Sequence, residues 1–291
     1  MKVLVCGASG QLGTALQSRV PPNVELVAAS HQEIDITDLA GLQATLERER
    51  VSVVINAAAY TDVEGAERFR EAAFRVNTHG TATLARACAA TDARLIHVST
   101  DFVFDGEKRT PYATDDEPHP LSVYGLSKLQ GEREALTILG SKACIVRTSW
   151  LHSARGANFV TKILARMQSD SAVRVVTDEI GSPTSAYSLA EALWRSAERA
   201  VSGVHHWSDA GVVTRFEFAS AIADRALQLG LLESLPSLQP ALVADFASAA
   251  NRPAYSVLDT RRTQVALGLD ARHWKDGLEL TLQDLRKTKE T

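Results

Sequence analysis

This chain is short of cysteine, of basic charge, of long apolar runs and of glycine and proline, and each shortage removes a class of protein. Cys6, Cys88 and Cys144 are the only three cysteines in 291 residues and stand far apart, with no Cys or His at ligand spacing. A disulfide framework and a thiolate metal site are therefore excluded, and we read all three as core residues. Lys and Arg number 31 against 35 Asp and Glu, a net charge of −4, which leaves no surplus to neutralise a nucleic acid. No apolar run approaches the roughly 18 residues of a membrane span, so no membrane partner is expected. The opening MKVLVCGASG has neither the apolar h-region nor the cleavage site of a secretory signal, and a cytoplasmic location is expected. Seventeen glycines and nine prolines are too few for a low-complexity or collagen-like chain.

What is present is a chain with 45% hydrophobic residues, enough for a large core and about two lobes. Runs rich in Val, Ile and Leu predict strands at 2–6, 24–29, 51–55, 93–98 and 142–147. They alternate with helical patterns at 11–19, 39–50 and 70–90. This is the pattern of an α/β protein with a Rossmann-type, doubly wound parallel sheet, its strands buried on both faces. Beyond residue 150 the pattern loosens into helices at 158–169, 188–200 and 215–229, with short β-like pieces at 173–176 and 203–207. We assign 1–150 to the dinucleotide-binding layer and 151–291 to a smaller, mostly helical lobe, some segments of which can return to the sheet. Residues 235–240 read as a loop and 285–291 as a frayed tail.

Gly7-Ala-Ser-Gly10-Gln11-Leu12-Gly13 follows the first strand and opens the first helix. Glycine there permits a tight turn, close approach to a pyrophosphate and close packing of helix on strand, while the helix N-terminus offers free N–H groups to the phosphates. The second strand ends at Ala28-Ala29-Ser30-His31 without an acid, so Ser30 and His31 are candidate donors to a 2′-phosphate. NADPH is the expected cofactor, with NADH accepted as well. In Asp35-Ile36-Thr37-Asp38 the first Asp is assigned to the cofactor and Asp38 to capping the next helix. Ala57, Ala58, Ala59 and Tyr60 lie just past the third strand, where small side chains admit the cofactor; Ile36 and Asn77 complete this set.

Tyr124-Gly-Leu-Ser-Lys128 places a phenol and an ammonium on one helix face. A phenol with its ordinary pKa near 10 is a poor acid at neutral pH, and a nearby ammonium lowers it. Alone, the pattern is common. It gains weight from the glycine loop upstream and from Val98-Ser99-Thr100-Asp101, which brings hydroxyls to the carboxyl edge of the fourth strand.

This order of elements resembles the extended short-chain dehydrogenase/reductase superfamily. Within it, the strings GASGQLG, NAAAYTDVEGAE, STDFVFDG, YGLSKLQGE, RTSWL and GSPT at Gly181–Thr184 resemble the dTDP-4-dehydrorhamnose reductase family over nearly the whole chain. The resemblance implies hydride transfer from a nicotinamide to C4 of a dTDP-4-keto-6-deoxysugar. Tyr124 then protonates the oxyanion, Lys128 binds the nicotinamide ribose and keeps Tyr124 acidic, and Thr100 hydrogen-bonds the carbonyl. It also implies a substrate side made of Thr100, Asp101, Phe102, Trp150, Asn158, Thr184 and Arg252, with a core role as the rival for Trp150.

The chain departs from the family at two places. Phe102 stands where members commonly have Tyr, and Ala15 stands where some have a glutamate that binds a dimer-bridging magnesium. No metal, no Mg²⁺ bridge, and a monomer or metal-free homodimer are expected. Among rivals, 4,6-dehydratases carry Asp-Glu after the threonine, whereas this chain has Asp101-Phe102, which argues against elimination. A reductase of another 4-keto sugar stays open. A non-catalytic role like that of the methionine adenosyltransferase β subunit is disfavoured by Thr100, Tyr124 and Lys128 standing together.

Overall fold

Alternating apolar side chains along each strand build two cores, one on either face of a six-stranded parallel sheet. The computed structural model describes residues 1–290, with side chains as far as Thr288. The first five strands are β1 (Lys2–Cys6), β2 (Glu25–Ala29), β3 (Val53–Asn56), β4 (Arg94–Thr100) and β5 (Ala143–Thr148). They are followed by β6 (Leu151–His152), β7 (Ala172–Val176), β8 (Ile180–Gly181), β9 (Thr184–Ser185), β10 (Gly203–His206), β11 (Val213–Thr214) and β12 (Ser237–Ala241). The sheet runs β2-β1-β3-β4-β5-β10.

On one face Val3, Val5, Val53 and Ile55 pack against α1 (Gln11–Ser18) and, from far along the chain, a helix at Ala186–Glu198. On the other, Leu4, Cys6, Val54 and Leu95 pack against α2 (Leu39–Glu49) and the helices of residues 81–139. Cys6, Cys88 and Cys144 are all buried in these cores, and burial pushes each thiol up to about 12.

Three sequence expectations need correction, and a fourth, that segments of the second lobe can return to the sheet, becomes definite. The predicted helix at 70–90 is three pieces. After α3 (Val63–Arg68) come α4 (Arg70–Phe74), a π-helical turn at Arg75–Gly80 and α5 (Thr81–Thr91), and next in order is α6 (Val123–Leu139). Residues 203–207 belong to the main sheet, because β10 pairs in parallel with β5 from Gly203↔Cys144 to His206↔Arg147. The presumed loop at 235–240 contains β12, which pairs with β7 despite its Pro240. As a two-stranded edge, it tolerates the missing N–H. The supposed frayed tail continues a helix to Glu290, with Leu285 packed on a third core away from the main sheet; Thr291 lies outside the described residues.

That third core joins α7 (Phe159–Ser169), α9 (Arg215–Gln228) and α11 (Trp274–Glu290) with β7, α8 being Ala186–Glu198 and α10 Arg261–Leu267. Among the described residues, no helix is long and apolar enough to cross a membrane.

Candidate active site

The chain leaves β1 towards β2 on one side and continues with β3 on the other, so a crevice opens at their carboxyl ends. Gly7 forms its floor with φ +80°, and a Cβ there would lie 2.7 Å from Ala58 N. Gly10 caps α1 with no side-chain bond and no acid in the first turn, which leaves the N–H groups of that turn open to an anion. These features fit a dinucleotide pyrophosphate. Gly10, Gln11, Leu12, Ala57, Ala58, Ala59 and Tyr60 line the crevice with Gly7. Gly13 does not: a Cβ on it would lie 2.2 Å from Gly7 O, so it sets the packing of helix on strand. Asn77 is also set back. It accepts Tyr60 N–H at 2.8 Å and donates to Tyr60 O at 3.0 Å and Ser127 Oγ at 2.9 Å, which positions the Tyr60 backbone.

At the end of β2, His31, Asp35 and Ile36 reach the crevice, while Ser30 is not among its lining residues. The reading that this edge carries no acid is corrected by Glu33, whose Oε2 accepts Ser30 N–H at 2.7 Å and Ser30 Oγ–H at 2.8 Å. Ser30 is thus already engaged. Asp35 is held below its usual range by Thr37 N–H and the Thr37 hydroxyl. Arg75, missed in the sequence, lines the same edge and can answer a phosphate. Asp38 occupies the cap position of α2 but makes no capping hydrogen bond.

Thr100, Tyr124 and Lys128 converge where β4 meets α6, and all three line the cleft. Ser122 caps α6 by accepting Gly125 N–H, which aims the first turn of the helix and Tyr124 at the strand end. Burial pushes the Tyr124 phenol up to about 12, against a hydrogen bond with Thr100 that works the other way. Lys128 stands one turn further along the same helix. Its Nζ turns beneath the site to Val98 O at 2.6 Å and His97 Nε2 at 3.2 Å, and burial lowers it to about 8. Phe102 packs edge-on against Tyr124, ring centroids 5.7 Å apart. Burial raises Asp101 to about 6, and it accepts the Thr100 hydroxyl at 3.1 Å.

The far end of the cleft is built from side chains. Trp150 takes φ +46° and lays its ring on Gly181, where a Cβ would lie 2.5 Å from it. Arg215 covers this ring at 3.5 Å and is paired with Glu179 at 3.1 Å. The sequence reading passed over Arg215, although a cation in the first turn of α9 opposes the helix dipole and so signals another task.

Arg252 lines the cleft, yet its guanidinium is bound to Glu64 at 2.8 Å. Asn158 lines the cleft while it caps α7 and donates to Gln11 Oε1 at 2.9 Å, whereas Thr184, fully buried in β9, is not among the cleft residues. The cleft has a volume of about 1150 Å³, room for a dinucleotide and a second nucleotide-sized ligand end to end.

Comparison with known proteins gives a consistent result. The family model described as the RmlD substrate binding domain matches residues 1–287. The dTDP-4-dehydrorhamnose reductase of Aggregatibacter actinomycetemcomitans is 37% identical, over 96% of this chain and 97% of that protein. A dTDP-4-keto-6-deoxy-D-glucose reductase of Streptomyces niveus is 35% identical, over 94% of each. Among solved structures, the dTDP-4-dehydrorhamnose reductase of Bacillus anthracis in complex with NADP superposes with a TM-score of 0.91 at 32% identity, covering 97% of this chain and 99% of that one.

Proposed function

The chain belongs to the RmlD substrate binding domain family, and on that premise we propose that it reduces the C4 keto group of dTDP-4-dehydro-L-rhamnose to dTDP-L-rhamnose with NADPH, accepting NADH as well, in the cytoplasm. The observation that carries this reading is the meeting of Thr100 and Tyr124 hydroxyls over Lys128, midway along a cleft with a pyrophosphate cradle at one end. When bound, the nicotinamide supplies the hydride.

This chain's residues supply the rest. A carbonyl that receives hydride develops negative charge on oxygen, so two hydroxyls aimed at it stabilise the transition state more than the ground state. Tyr124 gives its phenolic proton to that oxygen, and Thr100 keeps a hydrogen bond on it. Burial alone leaves the phenol at about 12, a reluctant donor. The Lys128 charge then favours the phenolate once the proton is transferred.

Gly7, Gly10, Gln11, Leu12 and the 57–60 segment hold the dinucleotide, and His31, Asp35 and Arg75 face its adenosine end. Trp150 with Arg215, and Arg252 beyond, take the sugar nucleotide, the guanidinium groups facing its diphosphate. Ala15 puts a methyl where a bridging metal needs a carboxylate, so the protein acts as a monomer or a metal-free dimer; dissociation of a dimer by EDTA would contradict this. A reductase of another 4-keto-6-deoxysugar is the second reading, favoured by the Streptomyces niveus relative. One experiment decides between them: oxidation of NADPH with enzymatically made dTDP-4-keto-L-rhamnose, the product identified by NMR. Formation of dTDP-L-rhamnose is expected, and no oxidation despite NADPH binding would sink the first reading.

A further inference from the structure

Lys128 is held from beneath by a buried chain of hydrogen bonds that substrate binding does not call for. Asn56 closes β3, and His97 is its register partner on β4; both are fully buried. Ala58 N–H donates to Asn56 Oδ1 at 3.1 Å, which orients the amide and leaves Nδ2 facing His97 Nδ1 at 3.0 Å. An amide nitrogen can only donate, so Nδ1 accepts. Burial, and then the Lys128 charge, hold His97 far below its ordinary pKa, so the ring is neutral. Its single N–H therefore sits on Nε2 and points at Lys128 Nζ, 3.2 Å away. A ring N–H needs a lone pair to donate to, which an amine has and an ammonium lacks.

We propose that His97 is a positioning residue that sets how firmly Lys128 holds its proton: with its ring locked by Asn56, the Nε2–H favours the amine of Lys128 over its ammonium. Other ionisable groups around Lys128 act differently. Glu132, one turn along α6, favours the ammonium but is engaged by Arg147 of β5 at 2.7 Å. Tyr124 and Asp101 lie towards the mouth of the site, and the π-helical turn packed on α6 contributes the uncharged Asn77 and Thr78. Charging Lys128 fully requires the His97 proton to move to Nδ1 and the Asn56 amide to turn over, which strands Ala58 N–H.

The consequence for turnover rests on the reductase reading above. The state of the ring does not, and the two can be tested apart. Nitrogen-15 NMR of the NADPH-bound protein reads the tautomer of His97, assigned by its loss in His97→Phe. On the alkaline side of proton loss from Lys128, where the comparison is made, the Nε2–H form is expected in the unmodified chain. The Nδ1–H form is expected in Asn56→Asp, whose carboxylate can only accept. An Nδ1–H ring or an imidazolium in the unmodified chain overturns the proposal.

In the keto-sugar reaction, the alkaline limb of the kcat profile marks loss of the proton. Both Asn56→Asp and His97→Phe should move it upward by about one pH unit. An unmoved limb in both variants, with NADPH affinity retained, also overturns the proposal. Should His97→Phe not fold, Asn56→Asp and the spectrum of the unmodified chain still decide. Should no keto sugar be reduced at all, the reductase reading fails and the spectrum still decides the tautomer.

Discussion

The two ends of the cleft are made of different material. At the dinucleotide end the wall is backbone and small side chains, Gly7 against Ala58 and the free first turn of α1, held by the register of β1 and β3. At the other end it is long side chains brought from distant parts of the chain, with Arg215 between Trp150 and Glu179 and the 248–252 segment tied to Glu64. A wall of backbone is defined by what cannot be added to it. A wall of paired charges is defined by what cannot be removed.

The reacting group between the two ends should give the largest effect. Tyr124→Phe removes the proton donor and should lower kcat by about a hundredfold to ten-thousandfold while NADPH affinity, read by fluorescence titration, holds. Near-normal turnover would take Tyr124 out of the chemistry. Next, Gly7→Ala forces a Cβ to 2.7 Å from Ala58 N at a φ of +80°. NADPH affinity should fall by roughly tenfold or more, and the KM for the sugar nucleotide should change little.

Arg215→Ala tests the opposite wall and should do the reverse, raising the sugar-nucleotide KM by about tenfold with NADPH affinity unchanged. If it instead weakened both ligands equally, the division between the ends would be wrong. The smallest effect belongs to Glu64. Partial burial would raise this carboxyl, but Ser248, Arg252 and the Ala249 and Ala250 N–H groups outweigh it and hold it at about 2. Because the folded value is depressed, its contribution to stability is present above the ordinary carboxylate range and fades as pH falls towards 2. The melting temperature of the parent chain should therefore exceed that of Glu64→Gln at pH 7, the gap closing below about pH 4. A gap that widened in acid would refute the tie.

Legibility in the sequence divides along the same line. The glycine loop, the carboxyl edge of β4 and the Tyr124–Lys128 spacing are local patterns, each held within one strand end or one helix, and the structure brings Gly7, Gly10, Thr100, Tyr124 and Lys128 to one cleft. What escaped notice depends on contacts between segments far apart. Glu33 is the local exception: it stands three residues from Ser30, and their bonds form only once the chain turns after β2. Arg215 and Glu179 are 36 residues apart and Glu64 and Arg252 are 188 apart, beyond the reach of any periodicity. Asn77 was placed on the right side for the wrong task, since the π-helical turn that aims it at Tyr60 has no signature in its residues. The β-like piece that forms β10 is visible in the sequence, but its place beside β5 is not, because parallel pairing across about 60 residues leaves no mark in GVHH.

That last strand has a consequence for how the protein comes into being. On the ribosome β5 is complete long before β10 emerges, and α8, which covers one face of the sheet, lies between them in the chain. Until then the nascent protein carries a wholly buried type of strand with one open edge, the state most prone to pairing with a stranger. A fragment cut near residue 150 would be fixed in that condition, so the dinucleotide-binding layer matures only when a segment from the second half of the message returns to close it.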